Sequence, residues 1–577
     1  MGARALSLPI RRRVRAGLRP LPSGLALLPL VAGGVVVLPL IWLIVDSFNV
    51  AAPGHAAVYG LQNWTVAFRD HSTWVVLWNS ISLGVVRTII ALPIALVLTW
   101  LIARTDMPGR GAIEMLCWLS IFAPVLPMTY GWILLMDPDF GLINSQLQRL
   151  PFIHGSVFSI YGFWGITWVH LTTTTIAYPV VLMIPAFRRV GAALEEAART
   201  CGAGMFATVR YITIPLLAPA ILLVTLLSFV IGLQVFEIEL VLGQPVGLWV
   251  YSTRIYDLAR DIPPHYGQAT ALGFVFLALL LVLAALYQWY LHGRSFVTVT
   301  GRGYLSAPVH LRAWRWLATG ICTLFFAVTL AAPLALLVVG SFMRRYGFFQ
   351  LRNPFTINHW LDLFNEPVFF SSVLNSLILA TATAVIVVLL YSAVAYSIVR
   401  TRARGSRLAD TLMWLPWAVP GILMSLGLLW LFLSTPLRAA LYGTLPGIIA
   451  AFVIRQSPLS TQFFKTALMQ VGPELEESAR VHGASWLAMY RRVLLPLLAP
   501  TAVTVGLLAF LSSLRDISTP VLLYNPQSRP LAILMLEYTF ANERERGAAI
   551  GVLLAVFVLV VTLVARSLGL RLAREAS

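Results

Sequence analysis

Twelve apolar stretches, each about as long as a bilayer is thick, constrain the fold of this chain more than any other feature. A helix of about 20 mostly apolar residues crosses a hydrocarbon core about 30 Å thick. The first six stretches cover residues 24–48, 78–103, 113–136, 161–183, 216–242 and 270–291. The second six cover residues 316–342, 373–399, 408–432, 446–464, 497–514 and 548–568. The sequence therefore predicts an all-α, polytopic membrane protein with about twelve transmembrane helices in two six-helix halves. We expect the first helix to be retained, because it lacks the small-residue cleavage site of a signal peptide.

The charged residues support a membrane location and indicate an orientation. They make up 11% of the 577 residues, whereas about 25% is usual for a soluble domain. All of the 41 basic residues except Lys465 are arginine. They occur in short bursts between the apolar stretches, not in the single patch of a nucleic-acid-binding protein. Because basic residues accumulate in cytoplasmic loops, we expect both termini to be cytoplasmic and no nucleic acid to bind.

The two halves of the sequence repeat each other. An Asn-Ser pair is followed 25 positions later by an Arg-Thr pair in both halves, starting at Asn79 and at Asn375, an offset of 296. A second block starts at Glu196 and recurs from Glu477 at an offset of 281. The intervening stretch is thus 15 residues shorter in the second half, and we place the deletion in the loop after the third helix. Both motifs keep their orientation, which indicates a parallel duplication. We predict a first half at 1–291, a linker at 292–315 and a second half at 316–577.

The second repeated block predicts a compact helix-turn-helix unit between two transmembrane helices. Residues 191–200 form the first short helix, and Gly202 permits a turn with a positive backbone dihedral. An apolar stretch, 206–214, follows, and Pro215 suits the first turn of the next helix, where its missing N–H is not needed. A plain amphipathic connector is the alternative. A segment that merely connects two helices would not need the same internal spacing in both copies.

This block resembles the EAA loop of the permease subunits of ATP-binding-cassette (ABC) importers, whose pattern is E-A-A-x(3)-G-x(9)-I-x-L-P. The first copy departs only at Ile214, which replaces leucine, and the second at Ser478 and Val493. In that family the loop docks as a coupling helix into a groove of the ATPase subunit. The resemblance implies this role for two sets of residues. They are Glu195, Glu196, Ala198, Gly202 and Pro215 in the first EAA loop (190–219), and Glu476, Glu477, Ala479, Gly483 and Pro496 in the second (471–500).

The sequence also lacks features that an autonomous transporter of this class would need. A phosphate-binding loop requires the pattern G-x(4)-G-K-[ST], and the only lysine, Lys465, follows Phe464. We therefore expect no catalytic residue, metal site or cofactor in this chain, with ATP and magnesium held by a homodimer of partner ATPase subunits. Because the external loops are short, a separate solute-binding protein is expected to deliver the cargo. The expected location is the lipid of a bacterial inner (cytoplasmic) membrane.

Ionisable residues within the apolar stretches suggest a polar gate. Such groups usually line a path or pair with each other. Aligned at the 281 offset, the fifth and eleventh helices both turn polar at the same depth. The candidate gate residues are Glu237, Glu239, Arg515 and Asp516. The alternatives are an interfacial ring of charges that reaches water, or an ion pair that holds the halves together. For His170 we expect a hydrogen-bonded packing role and not metal ligation, and Arg87 has no evident partner.

We therefore predict the membrane subunit of an ATP-driven importer. The fused, two-copy length most resembles ferric-iron permeases, which makes ferric iron the first expected substrate. Relatives of similar build suggest a polyamine, thiamine, sulfate, a phosphosugar or a phosphonate as alternatives. An ion-gradient-driven secondary transporter is the competing class, but it leaves the paired EAA loops unexplained. A membrane-embedded enzyme would need a clustered acid/base pair, nucleophile or metal set, and none stands out.

Overall fold

The computed structural model describes residues 23–51, 55–188, 197–198, 200–291, 309–400 and 405–575. The predicted linker therefore lies mostly outside the described residues. The helices of the first half are α1 Ser23–Ser47, α2 Gln62–Arg69, α3 His71–Arg104, α4 Arg110–Phe122, α5 Val125–Met136, α6 Leu142–Leu147, α7 Phe163–His170, α8 Ala177–Arg188, α9 Met205–Thr208, α10 Ile214–Leu233, α11 Glu237–Gly243, α12 Tyr251–Arg260 and α13 Tyr266–Leu291.

The second half repeats this order from residue 314 onwards. Its helices are α14 Trp314–Phe326, α15 Ala332–Ser341, α16 Asn358–Asn365, α17 Pro367–Arg400, α18 Ser406–Trp414, α19 Gly421–Leu433, α20 Arg438–Leu441, α21 Leu445–Arg455, α22 Ser457–Gln470, α23 Glu474–Val481, α24 Trp486–Met489, α25 Leu495–Leu497, α26 Ala499–Arg515, α27 Leu531–Phe540 and α28 Arg544–Glu575. Strands are absent from the described part of the chain, so the all-α prediction is confirmed.

The candidate membrane-spanning helices are consistent with the predicted polytopic fold of about twelve spans. Eight helices within the described residues are long and apolar enough to cross a bilayer, or eleven when each of three bent pairs counts as one. The predicted tenth span, 446–464, is not among these eleven. It consists of two shorter helices, α21 and α22, that meet at Gln456. The fifth span, predicted at 216–242, is also wrong at its far end, because α10 stops at Leu233 and a separate helix begins at Glu237. Polar residues in both places interrupt an otherwise apolar run.

The predicted third and ninth spans are sharply bent at equivalent positions. The bend is 100° between α4 and α5 and 113° between the 406–418 segment and α19. Pro124 and Pro420 are the N-cap residues of the helices that follow these bends. Proline disfavours helical geometry in the residue before it. The chain therefore leaves the helical conformation just before each of these two prolines. Hydropathy along the sequence does not reveal this break, because the residues on both sides of it are equally apolar.

The predicted deletion lies where the two halves differ in loop length. In the first half 26 residues separate Met136 from Phe163, whereas in the second half 11 separate Leu433 from Leu445. The difference equals the predicted 15 residues, so this prediction is confirmed. Apart from this loop, the two halves pack alike, since α3 packs on α8 and α10 as α17 packs on α22 and α26.

Each half contributes its first helix to the other half. Helix α1 packs on α18 and α19 of the second half, and α15 packs on α5 of the first. Gly131 and Gly427, 296 positions apart, lie at these two crossings. A Cβ built on Gly131 would overlap the carbonyl oxygen of Pro333, and one built on Gly427 would overlap that of Pro39. Both glycines are therefore required by the close approach of the two backbones.

We predict that Gly427→Ala destabilises the protein, because the added methyl group must displace the backbone of α1. Overpacking of this kind costs about 1–3 kcal/mol, which thermal unfolding of the purified protein in detergent would report as a lower Tm. Gly34→Ala is the matched control in α1 itself, since nothing lies within 4 Å of its added Cβ. The control should be neutral or slightly stabilising. Equal Tm values for the two variants would contradict the close crossing.

Candidate functional site: the EAA loops and the buried charges

The turns of the two EAA loops have the same backbone geometry. Gly202 has φ +87° and Gly483 has φ +80°, so the predicted positive dihedral is confirmed. Nothing lies within 4 Å of a Cβ built on either glycine. Glycine is therefore favoured at these positions by the positive φ of the backbone and not by a lack of space for a side chain. The carbonyls of Ala198 and Ala479 accept a hydrogen bond from the residue after each glycine, at 2.9 and 3.0 Å. Glu195 and Glu196 lie outside the described residues.

Glu476 is buried and anchors the second EAA loop to the long helix α17. Only 3% of its surface is exposed. Its Oε1 accepts a hydrogen bond from Arg400 Nε at 2.7 Å, and its Oε2 accepts one from the hydroxyl of Tyr396 at 3.1 Å. Arg400 also donates to the carbonyl of Val471 at 2.7 Å. Glu476 therefore faces α17 and not the exposed side of the loop, where the sequence predicted it.

Other residues that the EAA resemblance singled out lie on the exposed face of the second loop. Glu477, Gly483 and Pro496 are exposed, and Ala479 is half-buried. Phe206 and Leu487 occupy equivalent positions, 281 residues apart, directly after the two turns. Their side chains are 78% and 56% exposed. The two EAA loops thus leave a large apolar side chain uncovered at the same place in both copies.

Pro215 lies in the first turn of α10, which begins at Ile214, as predicted. It lies within a continuous apolar helix that runs from Phe206 to Leu233. A π-helical segment, Val209–Thr213, directly precedes it, and an equivalent segment, Tyr490–Leu494, precedes Pro496. Proline breaks the regular hydrogen-bond ladder, and a π segment is one way a helix absorbs such a break. The first loop thus continues into its transmembrane helix without an intervening coil. In the second half an 80° bend follows, between 486–497 and α26.

The repeated Asn-Ser pairs hold the chain at the end of the bundle opposite the EAA loops. Asn375 donates through Nδ2 to the carbonyls of Gln527 and Arg529 at 2.8 and 3.1 Å. Ser376 accepts a hydrogen bond from the backbone N–H of Leu531 at 2.7 Å. The first half repeats the arrangement. Asn79 donates to the carbonyl of Trp249 at 3.0 Å, and Ser80 accepts from the N–H of Tyr251 at 2.8 Å.

The four candidate gate residues do not form one cluster. Glu239 is buried within the first half, where its Oε1 lies 2.7 Å from His170 Nε2 and 3.5 Å from Arg87. Arg87 also donates to the carbonyl of Gly232. His170 is thus hydrogen-bonded, as predicted, and the described residues include no group of three or more metal-ligating side chains of His, Cys, Asp or Glu.

The other three candidates lie together where the halves meet. Asp516 pairs with Arg455 of its own half. Glu237 accepts a hydrogen bond across the interface from the N–H of Ile517 at 3.4 Å. Arg515 donates to the carbonyl of Ile121 at 2.6 Å, at the C-terminus of α4. A cation at that end of a helix is electrostatically favourable. The cross-half contacts are therefore made to backbone groups, and the ion pair itself is internal to the second half.

Sequence reasoning did not identify the partners of the buried carboxylates, which are Arg400 for Glu476, Arg87 for Glu239 and Arg455 for Asp516. Arg400 could have been found, since it belongs to the repeated Arg-Thr pair. The partners Arg87 and Glu239 are 152 positions apart, and Arg455 and Asp516 are 61 apart. No spacing rule along the sequence links residues at such distances.

The fold and the duplicated loops define a polytopic permease. Residues 390–574 match the family model described as "Binding-protein-dependent transport system inner membrane component". An ABC transporter permease protein of Sinorhizobium fredii, y4fN, is 26% identical and covers 88% of this chain and 90% of its own. The ferric transport system permease protein FbpB of Actinobacillus pleuropneumoniae is 26% identical over 83% of this chain and 68% of its own. An ABC transporter permease protein of Streptomyces antibioticus, ORF1, is 30% identical over 33% of this chain and 82% of its own.

The chain therefore belongs to the permease family of ABC importers. It is a multi-pass transport subunit of the inner membrane. This membership decides against an ion-gradient-driven secondary transporter.

We predict that Glu476→Gln destabilises the protein, because it leaves the half-buried Arg400 guanidinium without its counter-charge. Breaking a buried pair costs about 3–5 kcal/mol, and we expect about 2 here because Arg400 retains two carbonyl partners. Thermal unfolding of the purified protein would measure the loss. Glu477→Gln, on the exposed neighbouring position, is the control and should leave Tm unchanged. Equal Tm values for the two variants would show that the pair does not hold the loop.

Proposed function

We propose that the chain forms the translocation pathway of a ferric-iron importer and is driven by two identical ATPase subunits bound to its two EAA loops. Exposed Phe206 and Leu487 carry this proposal, because both follow the same glycine turn and both precede a transmembrane helix. An external solute-binding protein would deliver the cargo, with both termini of the chain in the cytoplasm. ATP and magnesium would reside on the ATPase subunits.

The connection between loop and membrane supports a lever mechanism. Closure of the ATPase pair around nucleotide would displace both EAA loops together. Since the first loop continues into its helix through a π segment, the displacement would tilt α10 directly. In the second half it would reach α26 across the 80° bend between 486–497 and α26. The Arg400–Glu476 pair would carry the same displacement to α17. Alternating access then results from two packed bundles that rotate relative to each other.

The choice of ferric iron is supported by the ferric permease relative and by the fused, two-copy architecture. A polyamine, thiamine, sulfate, a phosphosugar or a phosphonate stays an alternative cargo. Uptake of radioactive ferric iron by cells that carry the chain, compared with cells that lack it, tests this choice. Equal uptake would contradict it.

We predict that Phe206→Asp combined with Leu487→Asp abolishes binding of the ATPase and ATP-dependent uptake. A carboxylate at each apolar contact must be desolvated on docking, so uptake should fall at least about tenfold. The measurements are co-purification of the ATPase and uptake in cells. Phe152→Asp is the control, since Phe152 is 74% exposed and lies at the opposite end of the bundle. Retained co-purification in the double variant would refute docking at these loops.

The gate hypothesis gives a separate prediction for Glu237→Gln combined with Asp516→Asn. Both substitutions remove charge where the halves meet, so uptake should fall while the partner ATPase continues to hydrolyse ATP. Uptake and hydrolysis must be measured on the same preparation. Asp139→Asn, at an exposed carboxylate, is the control. Unchanged uptake in the double variant would end the gate hypothesis.

A further inference from the structure

A polar cavity of about 380 Å³ lies between the two halves, at the end of the bundle opposite the EAA loops. Its position follows from the chain, because the segment that lines it begins just after α26, whose other end continues from the second EAA loop. The first half contributes Arg260, the last residue of α12. The second half contributes Tyr442, Tyr524, Asn525, Arg529 and Glu537. The volume falls in the range of small-molecule sites, about 300–1,000 Å³.

The lining carries an excess of positive charge. Two guanidinium groups, of Arg260 and Arg529, face a single carboxylate, that of Glu537. The carboxylate is already engaged, since it lies 3.0 Å from Arg529 and accepts a hydrogen bond from Tyr524 at 2.9 Å. Burial and the nearby carboxylate raise the pKa of Tyr524 to about 12, so its phenol stays protonated. Arginine, phenol and amide groups together supply mostly hydrogen-bond donors.

We propose that this cavity is a transit site for an oxyanion, either free or bound to a ferric ion. Guanidinium groups match the geometry of phosphate and carboxylate oxygens, whereas a net positive lining disfavours a polyamine, thiamine or a bare trivalent cation. The inference rests on the proposed importer function and narrows its cargo.

The cavity is also placed to respond to the EAA loops. Both of its walls are held by an Asn-Ser pair: Asn375 binds the carbonyl of Arg529, and Ser80 binds the N–H that begins α12, the helix that ends at Arg260. Helix α17, which bears Asn375, is anchored at its other end to Glu476. A displacement of the second EAA loop is therefore transmitted to the wall that carries Arg529.

Calorimetric titration of the full chain in lipid nanodiscs tests the proposal without any partner. The probes are inorganic phosphate, citrate, ferric citrate and spermidine. We expect at least one oxyanion probe to bind and spermidine not to bind. Binding of phosphate or citrate alone would identify a free oxyanion as the ligand, and binding of ferric citrate alone would identify the ferric complex. Binding of spermidine alone, or of no probe, would overturn the proposal.

Two variants should weaken oxyanion binding and one should strengthen it. Arg260→Gln and Arg529→Gln each remove a charged donor and should weaken binding at least about tenfold. Arg438→Gln, at an exposed arginine close to Tyr442, is the control and should bind like the parent. Glu537→Gln removes the competing carboxylate and should tighten binding, which a folding defect cannot do. Unchanged affinity in the Arg260, Arg529 and Glu537 variants would overturn the site.

These results are distinguishable from failure of the proposed function. If oxyanions do not bind but uptake still depends on ATP and on Phe206 and Leu487, the cavity inference is wrong and the importer mechanism stands. If oxyanions bind but the EAA-loop variants keep full ATP-dependent uptake, the coupling proposal is wrong and the site stands.

Discussion

The buried pair between Arg400 and Glu476 is the contact on which the arrangement of the second half depends. It fixes one end of α17 to the EAA loop, and Asn375 and Ser376 fix the other end to the chain before α27. A helix of 34 residues is about 50 Å long, enough to cross the membrane. Because backbone hydrogen bonds within a helix resist stretching, movement at one anchor must appear at the other. Arg400 and the Asn375–Ser376 pair are thus two anchor points on α17, with 25 positions between Asn375 and Arg400.

The packing of each half's first helix on the other half limits how α17 can move. Helix α1 is packed on the second half and α15 on the first, each through a glycine that admits no side chain. Two halves interlocked in this way cannot separate as independent bodies without exposing both crossings. Rotation about the crossings keeps them buried. Because each first helix packs on the opposite half, the predicted linker at 292–315 separates two sequence repeats whose helices contact each other.

The sequence predicted the features that depend on local pattern or on internal repetition. The helical class, the glycine turns at 202 and 483 and the 15-residue deletion all follow from the residues themselves. The helix breaks before Pro124 and Pro420 were missed because an apolar run looks alike whether or not it bends. The contacts of Glu239 and Asp516 were missed because they join distant segments. Glu476 was assigned to the partner-binding face, since spacing alone does not say which side of a short helix meets the membrane bundle.

The two halves resemble each other at the EAA loops and at the Asn-Ser anchors but differ in the buried charges between them. The glycine turns, the exposed apolar residues and the π segments recur at an offset of 281. The buried charges do not: at the repeat positions of His170 and Glu239 stand Ala451 and Pro520, and at that of Asp516 stands Val235. Two identical ATPase subunits would demand two similar docking surfaces, so substitutions there are constrained in both copies at once. A pathway for a single cargo does not require the same side chains in both halves. One arginine or one carboxylate can contact the cargo whichever half contributes it. Divergence of the buried charges, next to preserved loops, is therefore the pattern that a fused permease with a symmetric motor and an asymmetric channel would produce.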